Sequence, residues 1–174
     1  MNKDQREIQS KLRILKHADE TLAQSLNLST ELIPLQMRNR KGTIITPKFI
    51  TVHNTSNTTA GADAVAHSKF VRTKGYYIHN GRKIWVSWHY TVDDKEAIKQ
   101  LPINEKAFHA GRTANNKSIA IETCMHSGVN QQVANDRLAR LVALLRYDLS
   151  LSRSQIKTHQ DRTGKNCPIL LLAE

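Results

Sequence analysis

Hydrophobic positions recur along the chain with two periods. Between residues 4 and 27, Ile8, Leu12, Leu15, Leu22 and Leu26 return at helical spacing with charged residues between them. This spacing predicts an amphipathic helix, interrupted at Asp19. NLST breaks the pattern, and IPLQMRNRKGT reads as a basic, irregular stretch. From Lys48, KFITVHNTS alternates as a strand does, with Phe49, Thr51 and His53 on one side and Ile50 and Val52 on the other. AGADAVAHSKFVRTK predicts a helix after a glycine-containing start. IHNGRKIWVSWHYTVDD carries an Asn80-Gly81 hairpin signal, followed by one long strand rich in Trp, Val, Tyr and Thr. KSIAIETC predicts a strand with Ile119 and Ile121 on one face and Ala120 and Glu122 on the other. QQVANDRLARLVALLRYDLSL predicts a long helix whose apolar face holds Val133, Leu138, Leu141, Leu144, Leu145 and Leu149. IKTH reads as a short strand and DRTGKNCP as a loop.

Strands interleaved with helices of this kind predict an α/β fold: a central mixed β-sheet flanked by helices, with an added N-terminal amphipathic helix. The expected division is an N-terminal helical extension, residues 1–30, and one main domain, residues 31–174. There are no internal repeats.

Charge changes the picture of partners rather than of fold. Lys and Arg number 26 against 15 Asp and Glu, a formal charge of +11, which attracts the chain to polyanions. No apolar run approaches the roughly 20 residues of a membrane span. The first twenty residues lack the continuous apolar stretch of a secretory leader, so synthesis in the cytoplasm without a signal peptide is expected. Two cysteines, Cys124 and Cys167, make no disulfide scaffold, as suits a reducing compartment.

The chemistry gathers near strand ends. His53 closes one predicted strand and His159 closes another, each before a polar loop; Cys167 lies eight positions after His159. Imidazole and thiolate are good zinc ligands, and a loop containing Gly164 can bring His159 and Cys167 to one ion. Three protein ligands would leave one coordination position open, the arrangement of catalytic zinc rather than structural zinc. Such chemistry needs a base and a cation for the developing oxyanion. Glu122 is a candidate base, the alternative being a carboxylate on a solvated sheet face. Lys165, two residues before Cys167, is a candidate oxyanion partner; otherwise it is an exposed loop lysine. Taken alone, His53 reads as a core or turn histidine. Among the other histidines, His67 and His89 read as packing or hydrogen-bonding residues, and His79 and His126 as exposed turn residues. Cys124 reads as a small buried hydrophobe.

FITVHNTSN, AHSKF, WHYTVDD, NEKAFHAG, NNKSIAIETC and THQDRTGKNCP follow one another in order within residues 33–168. As an ordered set they resemble the zinc-dependent N-acetylmuramoyl-L-alanine amidases of phage endolysins and bacterial autolysins, the type-2 amidase family related to peptidoglycan-recognition proteins. The resemblance implies one Zn2+ per chain, held by His53, His159 and Cys167. It implies Glu122 and Lys165 as catalytic partners and His109 as a residue lining the substrate cleft. Relatives that only bind peptidoglycan typically lack the cysteine, which is present here. Where many relatives carry a tyrosine, this chain has Trp88; it has no hydroxyl for proton transfer and is read as a cleft wall. The N-terminal helix lies outside the resemblance.

The implied activity is cleavage of the amide bond between N-acetylmuramic acid and the L-alanine of the peptidoglycan stem, with residues 31–174 as the catalytic domain. The implied site of action is the cell wall, after release or holin-type export. The rival is a non-catalytic peptidoglycan-binding module of the same fold. Expected partners are peptidoglycan, anionic wall polymers attracted by the positive charge, and a second copy docked through the N-terminal helix. Nucleic acid is not expected, because the paired-cysteine spacings of zinc fingers and RNA-binding aromatic signatures are missing.

Overall fold

A computed structural model describes residues 20–172 together with residues 5, 6 and 9. Among the described residues from Leu28 onward, eight strands and four α-helices follow one another in the order β1 (Leu28–Thr30), β2 (Phe49–Asn54), α1 (Ala64–Thr73), β3 (Tyr76–His79), β4 (Arg82–Trp85), β5 (Tyr90–Val92), β6 (Ala97–Lys99), α2 (Gly111–Asn115), β7 (Ser118–Thr123), α3 (Gln131–Asp148), β8 (Ile156–Thr158) and α4 (His159–Thr163). Six strands form one sheet in the order β1-β6-β5-β7-β2-β8. It is mixed: β5 and β6 are antiparallel, and every other pair is parallel. The expected α/β architecture is therefore present.

The alternation in β2 and β7 decides which layer covers which face. Ile50, Val52, Ile119 and Ile121 point to one side, where Leu138, Leu141 and Leu145 of α3 close the main core. Ala120 points to the other side and packs with Val71 of α1, Trp88, Leu101 and Ile33. Both strands are buried along almost their whole length, as central parallel strands are. Asn130 caps α3 by accepting from the Val133 N–H, and Asp63 caps α1 by accepting from the Ala66 N–H. Val133 itself is exposed, and the buried face of α3 starts at Ala134 instead.

Three further readings change. The run after Asn80-Gly81 is two strands. β4 pairs with β3 in a separate hairpin, whereas β5 joins the main sheet. Both hairpin-turn residues have positive φ, 48° and 73°, as the two-residue turn demands. Between β4 and β5 the backbone bonds elsewhere, Ser87 N–H to Phe108 O and His89 N–H to Ala120 O. NLST, read as a break, contains β1, which pairs with β6 at the sheet edge. DRTGKNCP is partly helical, because α4 starts at His159.

Of the N-terminal amphipathic helix, Ile8, Leu12 and Leu15 lie outside the described residues. Residues 20–25 are helical. Leu26 is fully buried in the main core, and its carbonyl accepts from Arg137 Nε.

Candidate active site

Parallel pairing of β2 with β7 sets His53 directly beside Glu122 at the carboxyl ends of the two strands. β8 pairs on the other side of β2, Val52 opposite Thr158, so the chain leaves the sheet one residue later at His159. There Thr158 starts α4 with a capping box: its Oγ1 accepts from the Asp161 N–H, and Asp161 Oδ2 accepts from the Thr158 N–H. Gly164, with φ 77°, ends the helix and turns the chain back. The Gln160 N–H then donates to Cys167 O at 2.9 Å, tying the cysteine to the first turn of α4.

The result is a tight trio. Donor atoms of His53, His159 and Cys167, all three buried, lie within 4.8 Å of one another. His53 Nδ1 is 3.0 Å from His159 Nδ1 and 3.8 Å from Cys167 Sγ. Bonds of roughly 2.0–2.1 Å to nitrogen and 2.3 Å to sulfur in a tetrahedron put ligand atoms roughly 3.3–3.7 Å apart, so the trio fits a zinc ion. Burial, then the charge of Lys165, lowers the pKa of His159. Burial, then His159 and Lys165, lowers that of His53 well below the usual histidine value. Neutral imidazoles are the ligand form. Burial pushes the Cys167 thiol up, so its ionisation calls for a cation beside it.

Which nitrogen of His53 is bare follows from a chain of hydrogen bonds. Ser118 Oγ donates to Ala114 O at 2.8 Å. With its hydrogen committed, Ser118 Oγ accepts from Thr51 Oγ1 at 3.0 Å and from His109 Nε2 at 3.2 Å. Neutral His109, its pKa lowered chiefly by burial, has no second hydrogen, so its Nδ1 accepts from His53 Nε2 at 2.9 Å. His53 Nδ1 is left with a free lone pair, aimed at His159 and Cys167. Thr51, His53 and Ser118 share one sheet face with Glu122, which is why one network can join them.

Glu122 Oε1 lies 3.9 Å from His53 Nδ1, and Oε2 is buried with no hydrogen-bond partner. Burial pushes this carboxyl up to about 8, while the charge of Lys165 pulls the other way. All five of these residues (His53, Glu122, His159, Lys165 and Cys167) line one cavity of about 590 Å³. His109 and Trp88 line it too, and the Trp88 Nε1–H is taken up by Thr91 Oγ1. Every site residue singled out in the sequence thus faces this cavity.

Sequence reasoning missed others. His67, read as a packing residue, is one of the lining residues, its Nδ1 donating to Asp63 O at 2.9 Å. His126, read as exposed, is buried. His89 is buried as expected, with Nε2 donating to Glu105 O and Nδ1 accepting from the Ala120 N–H. Cys124 is fully buried against Ala64 and Ile98, as expected. The link between Ser118 and Thr51 had no local signal, since the two are 67 positions apart.

Residues 43–169 match the family of N-acetylmuramoyl-L-alanine amidases. The chain is 36% identical over 150 residues to the N-acetylmuramoyl-L-alanine amidase XlyA of Bacillus subtilis (strain 168), covering 84% of this chain and 48% of that protein. It is 36% identical over 151 residues to CwlH of the same organism, an N-acetylmuramoyl-L-alanine amidase, covering 84% of this chain and 57% of the relative. The chain therefore spans about half the length of these relatives. The solved catalytic domain of XlyA superimposes with a TM-score of 0.76 at 37% identity, over 84% of this chain and 93% of that domain.

Proposed function

The chain belongs to the N-acetylmuramoyl-L-alanine amidase family, and we propose that it is a zinc-dependent peptidoglycan hydrolase. It cuts the amide between N-acetylmuramic acid and the first L-alanine of the stem peptide. The observation that carries this reading is a buried trio of two imidazoles and a thiol beside a buried carboxyl whose Oε2 has no hydrogen-bond partner, all in one cavity.

His53 through Nδ1, His159 and Cys167 would hold the metal. When bound, zinc supplies Lewis acidity, making a water more acidic and polarising the scissile carbonyl. The His109–Ser118–Thr51 chain holds His53 in the tautomer that leaves Nδ1 free. Glu122 is the general base, its ionised form disfavoured by burial and favoured by the charge of Lys165 and of a bound cation. Its free Oε2 takes a proton from the attacking water and gives it to the departing alanine nitrogen, so the proton returns to product and the carboxylate is restored. Lys165, an exposed residue that lines the cavity, would meet the oxygen that gains charge as the carbonyl carbon becomes tetrahedral. Trp88 and His109 wall the cleft and exclude water. The net charge of +11 adds attraction to anionic wall polymers, which makes wall binding weaken with salt. The N-terminal extension, residues 1–30, is proposed to dock through the apolar stripe of its sequence, on this domain or on a second copy.

Metal analysis tests the ligand set. Wild type should hold one zinc per chain and Cys167→Ser much less, with loss of alanine release from purified wall. Stoichiometric zinc and retained activity in that variant would remove Cys167 from the site. Wall binding without alanine release by the zinc-loaded wild type would favour a binding module.

A further inference from the structure

A second cavity of about 640 Å³ adjoins the first. The two share Tyr77, Val86, Phe108, His109 and Gly111 as walls. His109 is also the residue whose Nδ1 lies 2.9 Å from His53 Nε2, so the second cavity starts one side chain away from the reacting centre. Its charged lining residues are Arg38 and Lys41, and no Asp or Glu lines it. Both are exposed, and among the described residues neither has a carboxylate partner, whereas Arg40 and Arg72 do.

These two cations are held in place by the residues between them. Asn39 is fully buried and its Nδ2 donates to Val71 O and Val86 O, both at 2.9 Å. Arg40 is buried on Glu105, with Nε and Nη2 donating to its two carboxylate oxygens at 2.8 and 2.7 Å and Nη1 donating to Ile33 O. Gly75 closes over the Asn39 amide, where a Cβ would come within 2.3 Å of Nδ2. Two buried anchors therefore fix the backbone that presents Arg38 and Lys41. The Arg38 guanidinium lies 5.9 Å from the centre of the Trp85 ring, which forms part of the same wall. Unpaired, pre-positioned cations above an apolar trough suit an anionic chain, not a neutral sugar.

We propose that this second cavity is the substrate arm for the stem peptide beyond its first L-alanine, with Arg38 and Lys41 receiving the peptide carboxylates. The inference rests on the amidase reading above and deepens it. In the muramyl peptide the sugar's own carboxyl is spent in the scissile amide, so the free carboxylates belong to the peptide. Residues walling both cavities let one substrate occupy both, its amide at Glu122 and its anionic tail at Arg38 and Lys41.

The test compares three soluble substrates: N-acetylmuramoyl-L-alanine amide, the same sugar carrying a longer stem peptide with free carboxylates, and that longer peptide with its carboxylates amidated. Wild type should prefer the free-carboxylate form over the amidated one by on the order of 10-fold in kcat/KM, mostly through KM, the scale of a charge-assisted hydrogen bond. Arg38→Gln/Lys41→Gln should lose that preference while its rate on the short substrate and its zinc content stay near wild type. Equal losses on long and short substrates, or no loss, overturn the subsite and leave the amidase reading standing. A loss confined to the short substrate assigns the cavity to the sugar and also overturns it. Calorimetry with the free anionic peptide separates the two claims. Binding that depends on Arg38 and Lys41, in a wild type that cleaves none of the substrates, keeps the subsite and removes the amidase reading. Absence of such binding in a wild type without preference between the long forms removes the subsite.

Discussion

β2 and β7 have two faces built from alternate residues of the same six-residue strands. On one, Ile50, Val52, Ile119 and Ile121 meet the leucines of α3. On the other, Thr51, His53, Ser118 and Glu122 form a polar set with His109, His159 and Cys167. The apolar face needs only volume and shape, because dispersion and burial are non-directional. The polar face needs every hydrogen in a specified place, because each buried polar atom costs free energy unless it is met. One face therefore supplies stability and the other uses some of it to hold an unpartnered carboxylate oxygen. Changes on the two faces should separate stability from chemistry.

The largest separation is expected at Leu141, which is fully buried in the core under α3. Leu141→Ala should cost about 2–5 kcal/mol of stability, read from denaturant melts, while the protein that remains folded keeps its zinc and turnover. Parallel loss of zinc at a temperature well below the melt would show that the faces are coupled. Lys165→Ala should do the reverse. Lys165 is exposed, so the melting temperature should hold while kcat falls on the order of 10²–10³-fold, the cost of one oxyanion donor. A change confined to KM would move Lys165 from the chemistry to substrate binding.

Ser118→Ala sharpens the comparison, since it removes the atom that orders the His109 and His53 hydrogens. Zinc affinity, measured by chelator competition, should weaken on the order of 10–100-fold, and Ser118→Thr should recover part of it. Unchanged affinity would mean that His53 needs no relay.

A smaller effect belongs to the Arg40–Glu105 pair, away from both faces. Hydrogen bonds from Arg40 hold the Glu105 carboxyl below its usual 4.5. The folded state thus binds the Glu105 proton less readily than the unfolded chain. The pair's contribution is present above pH 4.5 and is lost as pH falls through the lower folded-state value. Acid melts of wild type should drop in that window, and Glu105→Gln should start lower and drop less. Identical acid slopes would exclude the pair as a contributor.

Much of this was legible in the chain. FITVHN and SIAIET announce their two faces by alternation, α3 by its leucine spacing, and the hairpin by Asn80-Gly81. The trio and Glu122 were legible because His53 and Glu122 stand near strand ends, and His159 and Cys167 fall in one short segment just after β8. What was hidden depends on contacts distant in sequence. β1 and β6 have three residues each, too few for a period, and are fixed by pairing, β1 with β6 at the sheet edge and β6 also with β5. The run from Arg82 to Val92 is uniformly strand-like in composition, yet Ser87 and His89 bond to Phe108 and Ala120, which splits it. Ser118 meets Thr51 across 67 positions, and no local pattern carries that. Arg38 and Lys41 looked like part of an irregular basic stretch because their anchors, Asn39 and Arg40, bond to residues 32 to 65 positions away.

The central claim is that the polar face performs zinc-assisted hydrolysis with Glu122 as base. Its most direct test is the rate of new L-alanine amino termini released from purified peptidoglycan by wild type and Glu122→Gln, each carrying one zinc per chain. Wild type should release alanine amines steadily, and the variant should do so on the order of 10²–10⁴-fold more slowly with its melting temperature retained. Release at the wild-type rate by Glu122→Gln, or wall cleavage by wild type that exposes no alanine amine, would contradict it.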